Sequence, residues 1–240
     1  MFERMGPGFD GMGFEGFEAG LAGKTVTGAP FSASFSTQET QTLTDGNKIE
    51  RNTTGTVARD TAGRTRRDMT LPAIGPWAAS GKTPPQVSFI NDPVAGTHYV
   101  LEANTKTAHQ MSAHNHGPDA ARAAGMAARV QKNTTTESLG TQTINGISAQ
   151  GTRTTRTIPA GEMGNEKPIV IVKETWYSPE LQITVMTKRT DPRMGETVSQ
   201  LTNIQKQEPA ATLFQVPSDY TVKQGRGGRN TTPPLPPAEE

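Results

Sequence analysis

Apolar residues along this chain alternate with polar ones far more often than they recur at helical spacing. Phe31, Ala33 and Phe35 interleave with Ser32, Ser34 and Ser36, the period of a strand with one buried face. Thr44-Asp45-Gly46-Asn47 and Asp60-Thr61-Ala62-Gly63 are turn signals on either side of an extended, Thr-rich run, Lys48 to Arg59. In Arg64 to Leu71, Arg64, Arg66 and Asp68 fall on one face, while Met69 and Leu71 fall on the other. This is the pattern of an antiparallel meander.

Leu71 to Pro85 carries four prolines and reads as a loop. Strands follow at Gln86 to Asn91 and Thr97 to Glu102, joined by Asp92-Pro93-Val94-Ala95-Gly96. In that segment Pro presets φ and Gly supplies the positive φ that closes the turn. The same device, Asp191-Pro192-Arg193-Met194-Gly195, stands between Leu181–Thr190 and a strand over 196–206. Further strands are predicted at Thr134 to Leu139, Gly146 to Ile158 and Pro168 to Tyr177. Ile169 to Val172 is apolar at every position, which predicts a central place in the sheet. Leu181, Ile183 and Val185 alternate with Gln182 and Thr184, which predicts a strand buried on one side. Only Pro118 to Val130, rich in Ala with Pro at its start, reads as a helix. Residues 1–29 form a Gly/Phe-rich tail, 30–222 one folded domain, and 223–240 a Gly/Arg-rich and then Pro-rich tail. The fold class is mainly β: one curved antiparallel sheet with a short helix.

Composition narrows the function classes. Apolar residues make up 32% of the chain and the formal net charge is +1, so no global field steers nucleic acid towards it. No apolar run approaches the roughly 20 residues of a membrane helix, so no transmembrane segment is expected. Met1 to Gly20 has acidic residues and no continuous apolar stretch, so it does not read as a signal peptide. The absence of Cys excludes disulfides, thiol catalysis and Cys-ligated zinc.

Candidate chemistry is sparse. Gly6 to Gly11 and Gly11 to Gly16 both match G-x-G-x-x-G, but no strand precedes either and no helix follows. Gly75 to Thr83 resembles a phosphate loop one residue too long, and Pro84 and Pro85 forbid the helix it needs. His109, His114 and His116 lie close together, with His98 one hairpin earlier. They lack a fourth ligand at zinc spacing, and a polar loop accounts for them. No G-x-S-x-G elbow or H-E-x-x-H pair occurs, and no catalytic residue, cofactor or metal site is assigned; the chain reads as a non-enzyme, with a hydrolase as the last-ranked alternative. Arg51, Arg59, Arg64, Arg66, Arg67, Arg153 and Arg156 form a basic set on Thr-rich strands. It reads as a solvated sheet face or, more sharply, as a patch for an anionic partner such as a lipid headgroup or acidic glycan. Interleaved aromatics for nucleic acid are missing.

The C-terminal third has a fixed order: Trp176-Tyr177-Ser178-Pro179-Glu180-Leu181, the alternating strand, the Asp191–Gly195 turn, Leu201-Thr202-Asn203-Ile204, and Leu213-Phe214-Gln215-Val216-Pro217-Ser218-Asp219-Tyr220. This order resembles the ending of the LolA-like superfamily of periplasmic proteins, which includes lipoprotein carriers and the sensor domains of sigma-factor regulators. In its Thr-rich strands and paired turns the chain is similar to uncharacterised exported bacterial members. The resemblance implies a half-barrel whose concave face holds apolar side chains or an acyl chain, a C-terminal stretch packed against the sheet, and a periplasmic or secreted location. On that expectation Phe31, Phe35, Phe89, Tyr99, Trp176, Ile183 and Val185 are the candidates for the concave apolar face. The partner is then a lipid or other apolar ligand, or alternatively an envelope protein docked without any small molecule.

Overall fold

The computed structural model describes residues 25–70, 84–111 and 133–224. The helix expected at Pro118 to Val130, His114 and His116 lie outside the described residues, as does most of the 71–85 loop. The described residues form one sheet of twelve strands, not closed into a barrel. The strands are β1 (Phe31–Thr42), β2 (Lys48–Arg59), β3 (Thr65–Thr70), β4 (Gln86–Asp92), β5 (Thr97–Glu102), β6 (Thr107–Met111), β7 (Thr134–Ile144), β8 (Ile147–Ile158), β9 (Ile169–Ser178), β10 (Ile183–Asp191), β11 (Gly195–Gln205) and β12 (Thr221–Gln224). Their spatial order is β12-β6-β5-β4-β3-β2-β1-β11-β10-β9-β8-β7. Two meanders, β2 to β6 and β7 to β11, are thus sutured through β1, which pairs with β2 on one side and β11 on the other.

The period-2 runs and the turn residues account for most of this. Gly46, Gly63, Gly96 and Gly195 take positive φ at the hairpin ends, a conformation open to Gly at no steric cost. At both D-P-x-x-G turns the Asp carboxylate caps the turn. Asp92 Oδ1 accepts from the Val94 and Ala95 N–H groups at 2.9 and 3.0 Å, and Asp191 Oδ1 accepts from Arg193 N–H at 3.0 Å.

Several expectations are corrected. Ile169 to Val172 is not central: β9 is tenth of twelve in the order, and Val170 is exposed. A run of apolar residues there reflects β propensity rather than burial on both faces. His109 lies in a strand and not a loop, because Thr107 to Met111 pairs with β5. The strand at Thr221–Gln224 runs past the expected end of the domain and pairs with β6 in parallel. Burial in β10 is not one-sided, because a register shift between Thr184 and Met186 leaves Ile183, Thr184 and Val185 buried in succession.

The sheet is curled. Arg59, at the end of β2, donates to the carbonyl of Leu181, just before β10. Asn145, in the β7–β8 turn, donates to the carbonyl of Leu201 in β11 at 2.6 Å. Each contact joins elements three strand positions apart, which is about 14 Å in a flat sheet and beyond side-chain reach. Curling buries the main core: Phe31, Ala33, Phe35, Val57, Met69, Ile147, Ala149, Trp176, Leu181, Ile183, Val185 and Leu201. A smaller core of Ile90, Leu101 and Ala108 is covered by Val216 and Tyr220. After β11 the chain crosses the sheet through a 3-10 turn, Ala211–Phe214, with Phe214 buried. The C-terminal stretch thus packs against the sheet, as its residue order implies.

Candidate functional site

The apolar face is built outward from β1. Phe31, Ala33 and Phe35 are buried, while Ser32, Ser34 and Ser36 between them are half-exposed. Phe35 faces Gly55 across the β1–β2 ladder, and Trp176 faces Gly151 across β8–β9. A Cβ on Gly55 would stand 2.6 Å from the Phe35 ring and 2.0 Å from the Asp68 carbonyl oxygen. On Gly151 it would stand 2.6 Å from the Trp176 ring. Each glycine therefore gives an aromatic ring room to lie across the neighbouring strand, a pairing that also shields the bare glycine backbone.

Of the seven residues proposed for this face, Phe31, Phe35, Trp176, Ile183 and Val185 meet in the main core. Phe89 packs against that core from its edge. Tyr99 does not join them. It pairs with Ile90, next to Phe89 on the strand, and packs on the smaller core under the C-terminal segment. Successive strand residues point to opposite faces, so Phe89 and Tyr99 are separated by the sheet.

Two arginines stand over this face. The Arg67 guanidinium lies 4.6 Å from the Phe89 ring centroid, and that of Arg59 lies 5.0 Å from Phe31, both within cation–π range. Arg59 is only 1% exposed, which corrects the reading of the basic set as solvated. Its Nε and Nη2 donate to the Ala29 carbonyl at 3.0 and 2.8 Å, and Nη2 also donates to the Leu181 carbonyl. Nη1 is buried with no hydrogen-bond partner among the described residues. Burial lowers the Arg59 pKa, a shift partly opposed by Tyr177. The neighbouring carboxylate, Asp60, is turned to Arg64 at 2.5 Å.

Arg51, Arg66 and Arg153 are likewise engaged by local acids. Arg66 holds Asp68 at 2.8 Å, Arg153 bridges Glu137 and Glu174 at 2.8 Å each, and Arg51 lies 3.6 Å from Glu39. The hydrogen bonds to Glu174 and Glu137 raise the Arg153 pKa.

Beyond Phe35 the apolar face gives way to hydroxyls. Ser138, Thr152, Thr175, Thr187, Ser199, Thr37 and Thr53 are direct cross-strand partners in an unbroken row from β7 to β2. Thr37 Oγ1 and Ser199 Oγ share a buried hydrogen bond of 2.9 Å. One ladder step further, Lys173 faces Arg189. Like charges so placed repel, and Asp191 offsets this, lying 3.1 Å from Arg189 and 2.7 Å from Arg193. Hydrogen bonds from Arg193 hold the Asp191 carboxyl below its ordinary range.

Among the described residues no three His, Asp or Glu side chains gather as a metal site. His109 Nε2 lies 3.6 Å from Glu102. No helix of the described residues is long and apolar enough to cross a membrane. The apolar residue pattern did not point to Gly55, Gly151 or the clamp made by Arg59. The signal for the glycines was there: each interrupts a strand pattern where a close approach is one of the few uses for Gly.

No family model and no curated protein matches the chain. Solved structures similar to it include a chain of the MucA/MucB complex of Pseudomonas aeruginosa, at 11% identity and TM-score 0.44, matching 86% of this chain and 60% of that one. An uncharacterised conserved protein from Thermus thermophilus is 8% identical over 82% of this chain and 91% of its own, at TM-score 0.43. A LolA superfamily protein from Nitrosomonas europaea is 10% identical over 78% of this chain and 90% of its own, at TM-score 0.31. The chain spans about 60% of the length of the first of these.

Proposed function

We propose that this chain is a non-catalytic binding protein of the bacterial envelope, which takes an apolar or lipid-like ligand onto the inner face of its curled sheet. One observation carries the reading. A single apolar cluster is drawn from seven strands of a sheet that the described residues do not close into a barrel. Phe31, Phe35, Trp176, Ile183 and Val185 supply that face, and Phe89 borders it. The test is native mass spectrometry of the protein purified from its own host, together with uptake of a fluorescent fatty acid. The reading expects a co-purifying lipid mass and saturable uptake that Trp176→Ala weakens. A bare protein that takes up no fatty acid ends it. Cell fractionation that recovers the protein only from the cytosol ends the envelope assignment.

A second reading, a protein-binding scaffold of the envelope, is favoured by β7. This sheet-edge strand has mostly exposed residues, and an uncovered edge is a template for strand addition. Proline at Thr136 or Gln142, introduced separately, is expected to abolish capture of a protein partner from envelope extract while leaving fatty-acid uptake intact. Unchanged capture by both variants excludes the edge as the docking element.

A further inference from the structure

On the face of β1–β3 opposite Phe35, the structure holds a cleft of about 230 Å³ with mixed polar and apolar lining that the proposed ligand face does not use. Its floor is three hydroxyls on adjacent strands: Ser32 and Ser34 of β1, and Thr56, which pairs with Ser34 from β2. Arg66 and Asp68 of β3 form one wall, and Leu213, on the 3-10 turn that crosses the sheet, forms another. Asn203 stands at the rim.

The cleft lies where the β1–β11 ladder is broken. Ser32 pairs with Gln205 and Ser34 with Thr202, so the register slips between them. Asn203 takes φ +52° in that slip, a left-handed conformation that Asn tolerates better than most residues. Bulges of this kind re-aim side chains. Here the result is the Asn203 amide beside Ser34, with Nδ2 3.5 Å from Oγ.

The chemistry of the lining selects among ligands. Arg66 Nε donates to both Asp68 oxygens at 2.9 Å, and its Nη1 donates to the Leu213 carbonyl at 3.0 Å. The cation and the anion are thereby spent on each other, and the cleft offers no net charge to an ion. The Thr56 hydroxyl donates to Asp68 Oδ2 at 3.3 Å and keeps only acceptor capacity; the groups that can both donate and accept are the Ser32 and Ser34 hydroxyls and the Asn203 amide. Beside them lie the apolar surfaces of Ala58 and Leu213. Hydroxyls and an amide beside a broader apolar surface match a neutral ring that bears several hydroxyls and presents an apolar C–H face. The volume is below the roughly 300 Å³ where drug-sized sites begin, which suits one such ring.

We propose that this cleft is a binding subsite for a single neutral sugar unit, with Ser34 and Asn203 as its hydrogen-bonding pair. The test is titration of the ¹⁵N-labelled full chain with methyl glucopyranoside, methyl galactopyranoside and methyl mannopyranoside, followed by amide shifts, with inorganic phosphate as the charged control. The expected result is a millimolar Kd for at least one glycoside, with shifts centred on Ser34, Thr56 and Asn203 and no displacement by phosphate. Asn203→Gly keeps the left-handed backbone and Ser34→Ala keeps the strand. Each is expected to weaken binding about tenfold, the effect of losing one well-formed hydrogen bond. Three results would overturn the proposal: no shift at the cleft with any glycoside, shifts unchanged in both variants, or phosphate binding there in preference to sugar. Fatty-acid uptake does not depend on these residues, so this outcome stands apart from that of the apolar face.

Discussion

Replacing Arg59 with methionine sets two opposing energies against each other. The side chain is 1% exposed and no carboxylate among the described residues pairs with it, yet it gives three hydrogen bonds to the carbonyls of Ala29 and Leu181. Methionine keeps most of the volume and the contact with Phe31, so the change removes the charge and its donors without opening a large cavity. Two buried carbonyls then lose their donor, at about 1–3 kcal/mol each. Against this, the variant no longer bears the desolvation of an unpaired cation or of the unpartnered Nη1, and in other proteins relief of that kind has made such replacements neutral or stabilising. The structure tips the balance toward loss, because Arg59 is what joins the segment before β1 to the turn before β10 across the curl. We expect Arg59→Met to lose about 2 kcal/mol. With a urea m-value of about 2 kcal/mol/M for a domain of this size, that lowers the midpoint by about 1 M. The measurement is equilibrium unfolding at neutral pH, followed by fluorescence and by far-UV circular dichroism. A midpoint equal to or above that of the parent protein would show that desolvation cancels the clamp, and the reasoning would fail.

Three further outcomes are expected. Gly55→Ala is expected to destabilise more than Gly151→Ala, because its Cβ meets the backbone oxygen of Asp68 while the other meets a ring; at about 1–3 kcal/mol for overpacking, urea midpoints give the order directly. Trp176→Ala, at a core position, is expected to cost about 3–5 kcal/mol, read by thermal unfolding alongside the uptake assay. Asp191 is held below its ordinary carboxylate range by Arg193, so its contribution is complete above the unfolded pKa and is lost as pH falls through the lower folded one. Midpoints measured on acidification below about pH 4 are therefore expected to fall more steeply in the parent than in Asp191→Asn, and parallel curves would contradict this.

Much of the architecture was legible in the residues. The Phe31–Phe35 alternation marked β1, and the two D-P-x-x-G segments marked their hairpins, because period and turn chemistry are local properties. What was not legible was set at a distance. The exposure of Val170 depends on where β9 stands in the sheet, and nothing in its own residues encodes that. The parallel partner of Thr221–Gln224 is β6, far away along the chain. The burial of Arg59 follows from carbonyls that reach it only after curling. Tyr99 was assigned by residue type, but one ladder step of register puts it on the other side of the sheet from Phe89. The candidate site was half-readable for the same reason: its aromatics announce themselves, while the glycines that make room for them do so only once paired.

The position of β1 between the two meanders bears on how the molecule comes into being. The strand β1 has one partner, β2, directly after it, and another, β11, reaching to Gln205. During synthesis β1 must therefore wait with one edge bare until nearly the whole domain has emerged, and closing so long a loop precedes any reward from the pairing. Folding that depends on this suture is slow and late, and the waiting chain exposes one unpaired edge of a Phe-bearing strand. A bare edge of that kind is the part of the half-made sheet most prone to pair with another chain.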